Sequence, residues 1–426
     1  PDQCFRGSPE MQITTITPVH YPLSVRAGVN EFSAAYGELV QRITALGDGQ
    51  VLYAPDWHCP AEAGDQADRP GSTAYSDITR DDRDIRLGYW RGRTVDGFEL
   101  ALHCFNSELA VVELVLKPAP DIAAHALKEW AEEQTKLAIS QFANREFARI
   151  MAALREANIE NLQLREECSG LKCLWVGSIL NLSSDDVQHK DTQILLHQWL
   201  DATIRPEDAD DIINGRLRHS LRWLNYVIVA QEHQTDRQKV EAMILAQYFY
   251  AVQYYINRDL LADISDVFLE KNLKTSELKL QRVRARTQLH ITTYYEARNH
   301  LVRAKKQWME EILQAWDFDD LLENAQRMVD VCSTRINEIN NKKRSLASIL
   351  TDSLLALIGL FAILDLALQF VTYSREMVTS PTLNYYDEQT SGLLSVLATW
   401  NIDLFMGVNL LIVVLLGALY AVLKLR

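Results

Sequence analysis

The chain has 426 residues, 48% hydrophobic and 23% charged, with 57 acidic side chains against 43 basic ones. That length suits two or three domains, and the composition excludes a disordered chain. A formal net charge of −14 lacks the basic footprint of a general nucleic-acid binder, so no direct nucleic-acid binding is expected.

Six cysteines, at 4, 59, 104, 168, 173 and 332, are scattered without the spacing of a secreted framework, which predicts a reducing compartment. PDQCFRGSPE at the start is polar, and no signal sequence is expected from it. The β-branched alternation of MQITTITPV predicts a strand that ends at Pro18. Asn30 is placed to cap a helix over Glu31–Leu46, and Gln50–Tyr53 reads as a short strand. From Pro55 to Arg93 the density of Asp, Gly, Pro and Arg predicts a long loop. Asp56, His58, Cys59 and Glu62 lie in it without a zinc spacing, and Cys168 and Cys173 lack a second pair. Phe98–Phe105 and Ala110–Lys117 predict a hairpin turning at Asn106 and Ser107.

Helical spacing then dominates. Ile122–Asn158 reads as one long amphipathic helix, while Lys172–Leu182 and Ser220–Ala230 read as buried strands. Val240, Met243, Ile244, Tyr248, Val252 and Tyr255 set a helix over Gln238–Leu269, and Lys271–Trp316 predicts a second. The alternation predicts an α/β or α+β cytoplasmic domain over residues 1–236. Long helices and a coiled-coil stalk follow over 237–345. In the stalk Phe318, Leu322, Ala325, Val329, Cys332, Ile336 and Ile339 step by four and three, a 3.5-residue repeat. That seam faces either other copies of the chain or helices of its own subunit.

Residues 346–426 predict a transmembrane hairpin with spans at about 349–371 and 403–423. Leu404–Leu423 holds twenty residues without a charge. Ile349–Phe370 is as long but carries Asp352 and Asp365. Lys342, Lys343 and Arg344 precede the first span, Lys424 and Arg426 follow the second, and the connector holds Arg375 against Glu376, Asp387 and Glu388. The positive-inside rule then places both termini in the cytoplasm of a multi-pass inner-membrane protein.

Asn340-Asn341-Lys342-Lys343 before the span, Ile349-Leu350-Thr351 at its start, and the acidic connector resemble the CorA magnesium-transporter superfamily in this order of parts. The resemblance implies a pentamer whose first span lines a pore, with divalent ions such as magnesium bound between cytoplasmic domains. The family's Gly-Met-Asn signature is missing, and the first span ends LALQFVTYSREM instead. Relatives without the signature include CRISPR-associated membrane effectors of antiviral defence that answer nucleotide second messengers.

Asp365, Gln369 and Thr372 fall on one helical stripe. An intramembrane carboxylate is costly unless paired or facing water, so Asp365 predicts either a ring of carboxylates in a pore or a pair with Asn409 or another polar group of the helix bundle. Asp352 is either a solvated helix end or part of an inner vestibule, and Gly359 allows close helix approach. Asp387 and Glu388 are candidates to concentrate cations outside, or belong to a plain loop. Arg216, Arg218 and Arg222, with Arg282, Arg284 and Arg286, read as charged surface or as a phosphate-binding edge. No phosphate-cradling glycine loop, GxSxG or HExxH occurs, so no enzyme is expected. Three functions stay open: a ligand- or ion-gated cation channel or transporter, a nucleotide-gated effector, and a non-conducting membrane scaffold.

Overall fold

The computed structural model describes residues 11–26, 29, 34–46, 85–119, 122–164, 170–201, 203, 205–221, 224–231, 233–269, 273–379, and 396, 399, 401, 407, 408, 410, 411 and 414. The chain forms two compact units, Pro1–Thr334 and Arg335–Arg426.

The first unit is a mixed α/β domain built on one nine-stranded sheet. Its strands are β1 (Gln12–Val25), β2 (Gly88–Arg93), β3 (Glu99–Cys104), β4 (Ser107–Leu116), β5 (Leu162–Leu164), β6 (Lys172–Cys173), β7 (Gly177–Leu182), β8 (His219–Ser220) and β9 (Asn225–Val229). The order is β2-β3-β4-β1-β7-β9-β8, with β5 and β6 also paired to β1. Among the described strands only β7 and β9 run parallel. Helices cover both faces: α1 (Ala34–Leu46), α2 (Leu127–Phe142), α3 (Ala148–Ala157), α4 (Lys190–Leu200) and α5 (Asp208–Ile213) lie on one side. On the other are α6 (His233–Leu269), α7 (Leu273–His300), α8 (Arg303–Ala315) and the start of α9 (Phe318–Thr379).

Alternation along the strands feeds two cores. Val112 and Leu114 of β4 and Val227 of β9 enter the first, while Val111, Tyr226 and Ile228 enter the second. A strand covered on both faces reads as a nearly unbroken apolar run, as LAVVELVL does.

Several expected elements are redrawn. β1 continues through Pro18 to Val25. The Pro18 carbonyl accepts from the Leu174 N–H at 3.0 Å, between the pairings of β1 with β7 and with β6. The N–H and C=O of a strand residue point to the same side, so the missing donor falls at this break and the β4 ladder keeps its bonds. Gly88–Arg93 is strand rather than loop, paired to β3, and Trp90 is buried there. Lys172–Leu182 divides into β6 and β7, and the Ser220–Ala230 strand into the β8–β9 pair. The Ile122–Asn158 helix is interrupted by a π-helical turn, Ala143–Phe147, and ends on Asn158 in the left-handed conformation at φ 43°. Lys271–Trp316 is two helices, parted at Leu301 and Val302. The Asn30 cap, the Gln50–Tyr53 strand and residues 55–84 lie outside the described residues.

The stalk seam is buried within a single chain. Phe318, Leu322, Ala325, Val329 and Cys332 are each at most 6% exposed, and Ile336 and Ile339 are buried too. Phe318 and Leu322 join the core that α6, α7 and α8 build, and the Asn257 amide of α6 donates to the Leu321 carbonyl at 2.8 Å. The repeat therefore marks a stripe that the chain covers itself, at least to Cys332. Of the two expected readings of the seam, cover by helices of its own subunit holds over this stretch.

Candidate functional site

The candidate site lies on α9. From Ile349 to Phe370 the helix has 22 residues, about 33 Å at 1.5 Å per residue, against a bilayer core of about 30 Å. The stretch Phe318–Met377 holds an apolar window long enough to cross a membrane, and only 6% of that window is buried. A core helix of a soluble protein would be mostly buried. Here Leu350, Leu354, Phe361, Ile363 and Leu366 stand 61–72% exposed. Burying such a side chain is worth roughly 1.5–3 kcal/mol, so water is a poor solvent for this surface.

Asp365 interrupts that surface. Gln369 Nε2 donates to Asp365 Oδ2 at 2.8 Å, one turn along the same face. Thr372 lies on this stripe too, but its hydroxyl donates to the Leu368 carbonyl at 2.9 Å. All three residues are exposed. The expected stripe thus forms, with Asp365 and Gln369 joined and Thr372 satisfied by its own helix. Asp352 accepts from the Ser348 hydroxyl at 3.3 Å. It lies about 20 Å from Asp365 along the axis and on a different face, thirteen residues away. Gly359 shares the Asp352 face, and an added Cβ there would meet nothing within 4 Å. Asp387, Glu388 and Asn409 lie outside the described residues.

The arginines are dispersed. Arg216 pairs with Asp211 at 2.8 Å, and Arg218 donates to Ser184 at 3.4 Å. On α7, Arg284 donates to Ser333 at 3.4 Å and Arg286 faces Asp259 at 3.9 Å, while Arg282 joins neither pair. Arg222 lies outside the described residues, as do Asp56, His58, Cys59, Glu62 and Cys168. Among the described residues no group of three or more His, Cys, Asp and Glu is placed to hold a metal.

Two features escaped sequence reasoning. The first is a buried ion network between the sheet and α6. Arg237 Nη1 donates to Glu113 Oε1 and its Nη2 to Glu241 Oε1, both at 2.5 Å, and Arg86 reaches Glu241 at 3.3 Å. Arg86 also lies 2.9 Å from His103 Nδ1. A guanidinium only donates, so Nδ1 accepts and Nε2–H donates to Glu113 Oε2 at 3.1 Å. Burial lowers the His103 pKa, with the Arg86 charge adding to it against the Glu113 hydrogen bond. Burial alone would raise Glu113, but the His103 hydrogen bond and Arg237 outweigh it and hold the carboxyl at about 2. Glu241 is likewise held at about 2, by Arg86 and Arg237 against its burial. Two cations, two anions and a neutral imidazole cancel, so the network fastens α6 to β3 and β4 without net charge. Its signal in the sequence is the lone acid in LAVVELVL, since a carboxylate in a buried strand demands a partner.

The second is a cavity of about 370 Å³ lined by Leu174, Trp175, Leu224, Tyr250, Tyr254, Tyr255 and Trp316. Trp175 is fixed by its Nε1–H donating to Gln247 Oε1 at 2.5 Å. Gln247 Nε2 in turn donates to the Tyr226 hydroxyl at 3.1 Å. Trp316 lies where α8 ends and α9 begins.

No family model, curated protein or solved structure matches the chain.

Proposed function

We propose that the chain is an oligomeric membrane channel or transporter for cations, of CorA-like architecture, controlled by a ligand or ion on its cytoplasmic sheet domain. One observation carries this reading: a helix that starts in the sheet domain's core continues unbroken into an apolar window of which 6% is buried. Lipid is the solvent that surface suits. The Asp365–Gln369 pair supports conduction over simple anchoring. A carboxylate facing acyl chains costs about 2.5–3.5 kcal/mol even on insertion scales, whereas one facing a watery axis attracts cations. We assign the coupling to α9, which runs as one helix from the sheet domain's core into the apolar window. Ligand binding shifts the pore only if the ligand prefers one state of that helix.

Purified full chain in liposomes tests the reading. Cation flux is expected, and Asp365→Asn lowers it while leaving thermal unfolding of the sheet domain unchanged. No flux with any divalent ion or nucleotide, together with a monomeric or dimeric particle in detergent, overturns it and leaves a membrane-anchored scaffold.

A further inference from the structure

The cavity beside the head of α9 has a wall chemistry that selects its occupant. Trp175 comes from the link between β6 and β7, Tyr250, Tyr254 and Tyr255 from α6, and Trp316 from the joint between α8 and α9. Among the described residues, none of the lining side chains carries a formal charge. Their rings meet at corners. Trp175 and Tyr250 lie at 81° with centroids 5.9 Å apart, and Tyr250 and Trp316 at 75° and 5.0 Å. Tyr254 and Tyr255 lie at 84° and 5.5 Å.

A planar base stacks on a ring face, and parallel walls make the slot that holds it. A compact organic cation instead gains from ring faces turned toward it from several directions, because each face carries the negative part of the ring quadrupole. Right-angled walls suit the cation. Arg258 shows the attraction at the edge of this set, with its guanidinium carbon 4.4 Å from the Tyr255 ring centroid. The acid Asp317 adjoins Trp316 and acts electrostatically on Tyr250, so a negative charge stands near the walls. Trp316 Nε1–H is buried without a hydrogen-bond partner among the described residues.

We infer that this cavity binds an organic ammonium ion of the choline or trimethylated-amine class. Trp316 and Asp317 form the turn from which α9 departs, and Asp317 holds it in the left-handed conformation at φ 51°. An ammonium ion against Trp316 therefore touches the start of the helix that carries the apolar window. Its place as the controlling ligand rests on the transport reading above, whereas its binding does not.

Calorimetric titration of the full chain in detergent tests the binding. Choline represents a free solute, glycerophosphocholine a lipid headgroup, and 3,3-dimethylbutan-1-ol is the neutral carbon isostere of choline. One of the two ammonium compounds is expected to bind at least about tenfold tighter than the neutral alcohol, and the tighter one names the source. Tyr254 is 45% exposed, so replacing it should leave the fold intact, which thermal unfolding checks. Tyr254→Leu keeps apolar area without a ring, and should weaken ammonium binding about fivefold while Tyr254→Phe retains it. Equal binding of the neutral alcohol, no ammonium binding at millimolar concentration, or unchanged binding by Tyr254→Leu would each overturn the inference. Liposomes that show no flux although choline binds would defeat the transport reading and leave the site standing.

Discussion

The Arg237 guanidinium joins Glu113 of β4 to Glu241 one turn along its own helix, with a 2.5 Å hydrogen bond to each. Removing it leaves two carboxylates without their shared cation in a site where Glu113 is 8% exposed. Breaking a buried pair from one side costs about 3–5 kcal/mol, because the remaining charge is uncompensated. Arg237→Met should therefore lower the thermal unfolding midpoint of the full chain in detergent markedly. Arg237→Lys should lose less, since it keeps the charge but not the two-pronged geometry.

Acid should weaken the same domain in two stages. His103 and His290 have folded pKa values below the ordinary 6.5, that of His290 near 3 because of burial and the Arg286 charge. Unfolded chains take up these protons first, so stability begins to fall below about pH 6.5. Glu113 and Glu241, held at about 2 against an ordinary 4.5, add a steeper loss as pH drops below 4.5 toward 2. Unfolding midpoints measured across pH should be level between about pH 7 and 8 and then decline with this break. A level profile down to about pH 4 would contradict the depressed values.

Much of the fold was legible where one local rule acts alone. Phe98–Lys117 announces its hairpin because apolar runs flank a polar turn, and Val240–Tyr255 announces a helix by spacing. What failed depends on partners distant in sequence. Pro18 is tolerated in a central strand only because the neighbouring ladder breaks beside it. The break at Leu301 and Val302 carries no glycine or proline, and the helix beyond it shares a core with α6. The 3.5-residue repeat reported a buried stripe truthfully, but spacing does not say which helix covers it. Within the candidate site, the shared stripe of Asp365 and Gln369 was legible because it lies on one helix, whereas the hydrogen bond between them was not expected. The ion network was not, because Arg237 and Glu113 are 124 residues apart.

His290 offers a stabilising change. Its Nε2 is buried with no hydrogen-bond partner among the described residues, and its ring lies 6.2 Å from that of Phe249. An unsatisfied buried polar atom costs about 1–3 kcal/mol. His290→Leu removes that cost while keeping apolar contact, so the unfolding midpoint should rise. The same variant should shed part of the acid sensitivity below pH 6.5, because the residue that refuses its proton in the folded state is gone. A lower midpoint at neutral pH would show that the imidazole has a partner there.

On the oligomeric reading proposed above, Gly359 tests how copies of the helix approach one another. Six residues at about 100° each place it about 120° around α9 from Asp365. In a ring of helices the face turned to the axis is flanked by contact faces, which is where Gly359 would then stand. Within one chain an added Cβ at this position meets nothing within 4 Å, so Gly359→Leu should leave the subunit fold intact. Leucine also favours helix over glycine by roughly 0.8 kcal/mol, so a loss of helix is not expected. The larger side chain should instead hold neighbouring helices apart. Light scattering in detergent should show a smaller particle for Gly359→Leu, with the circular dichroism of the native chain. An unchanged particle mass would show that Gly359 takes no part in a contact between copies.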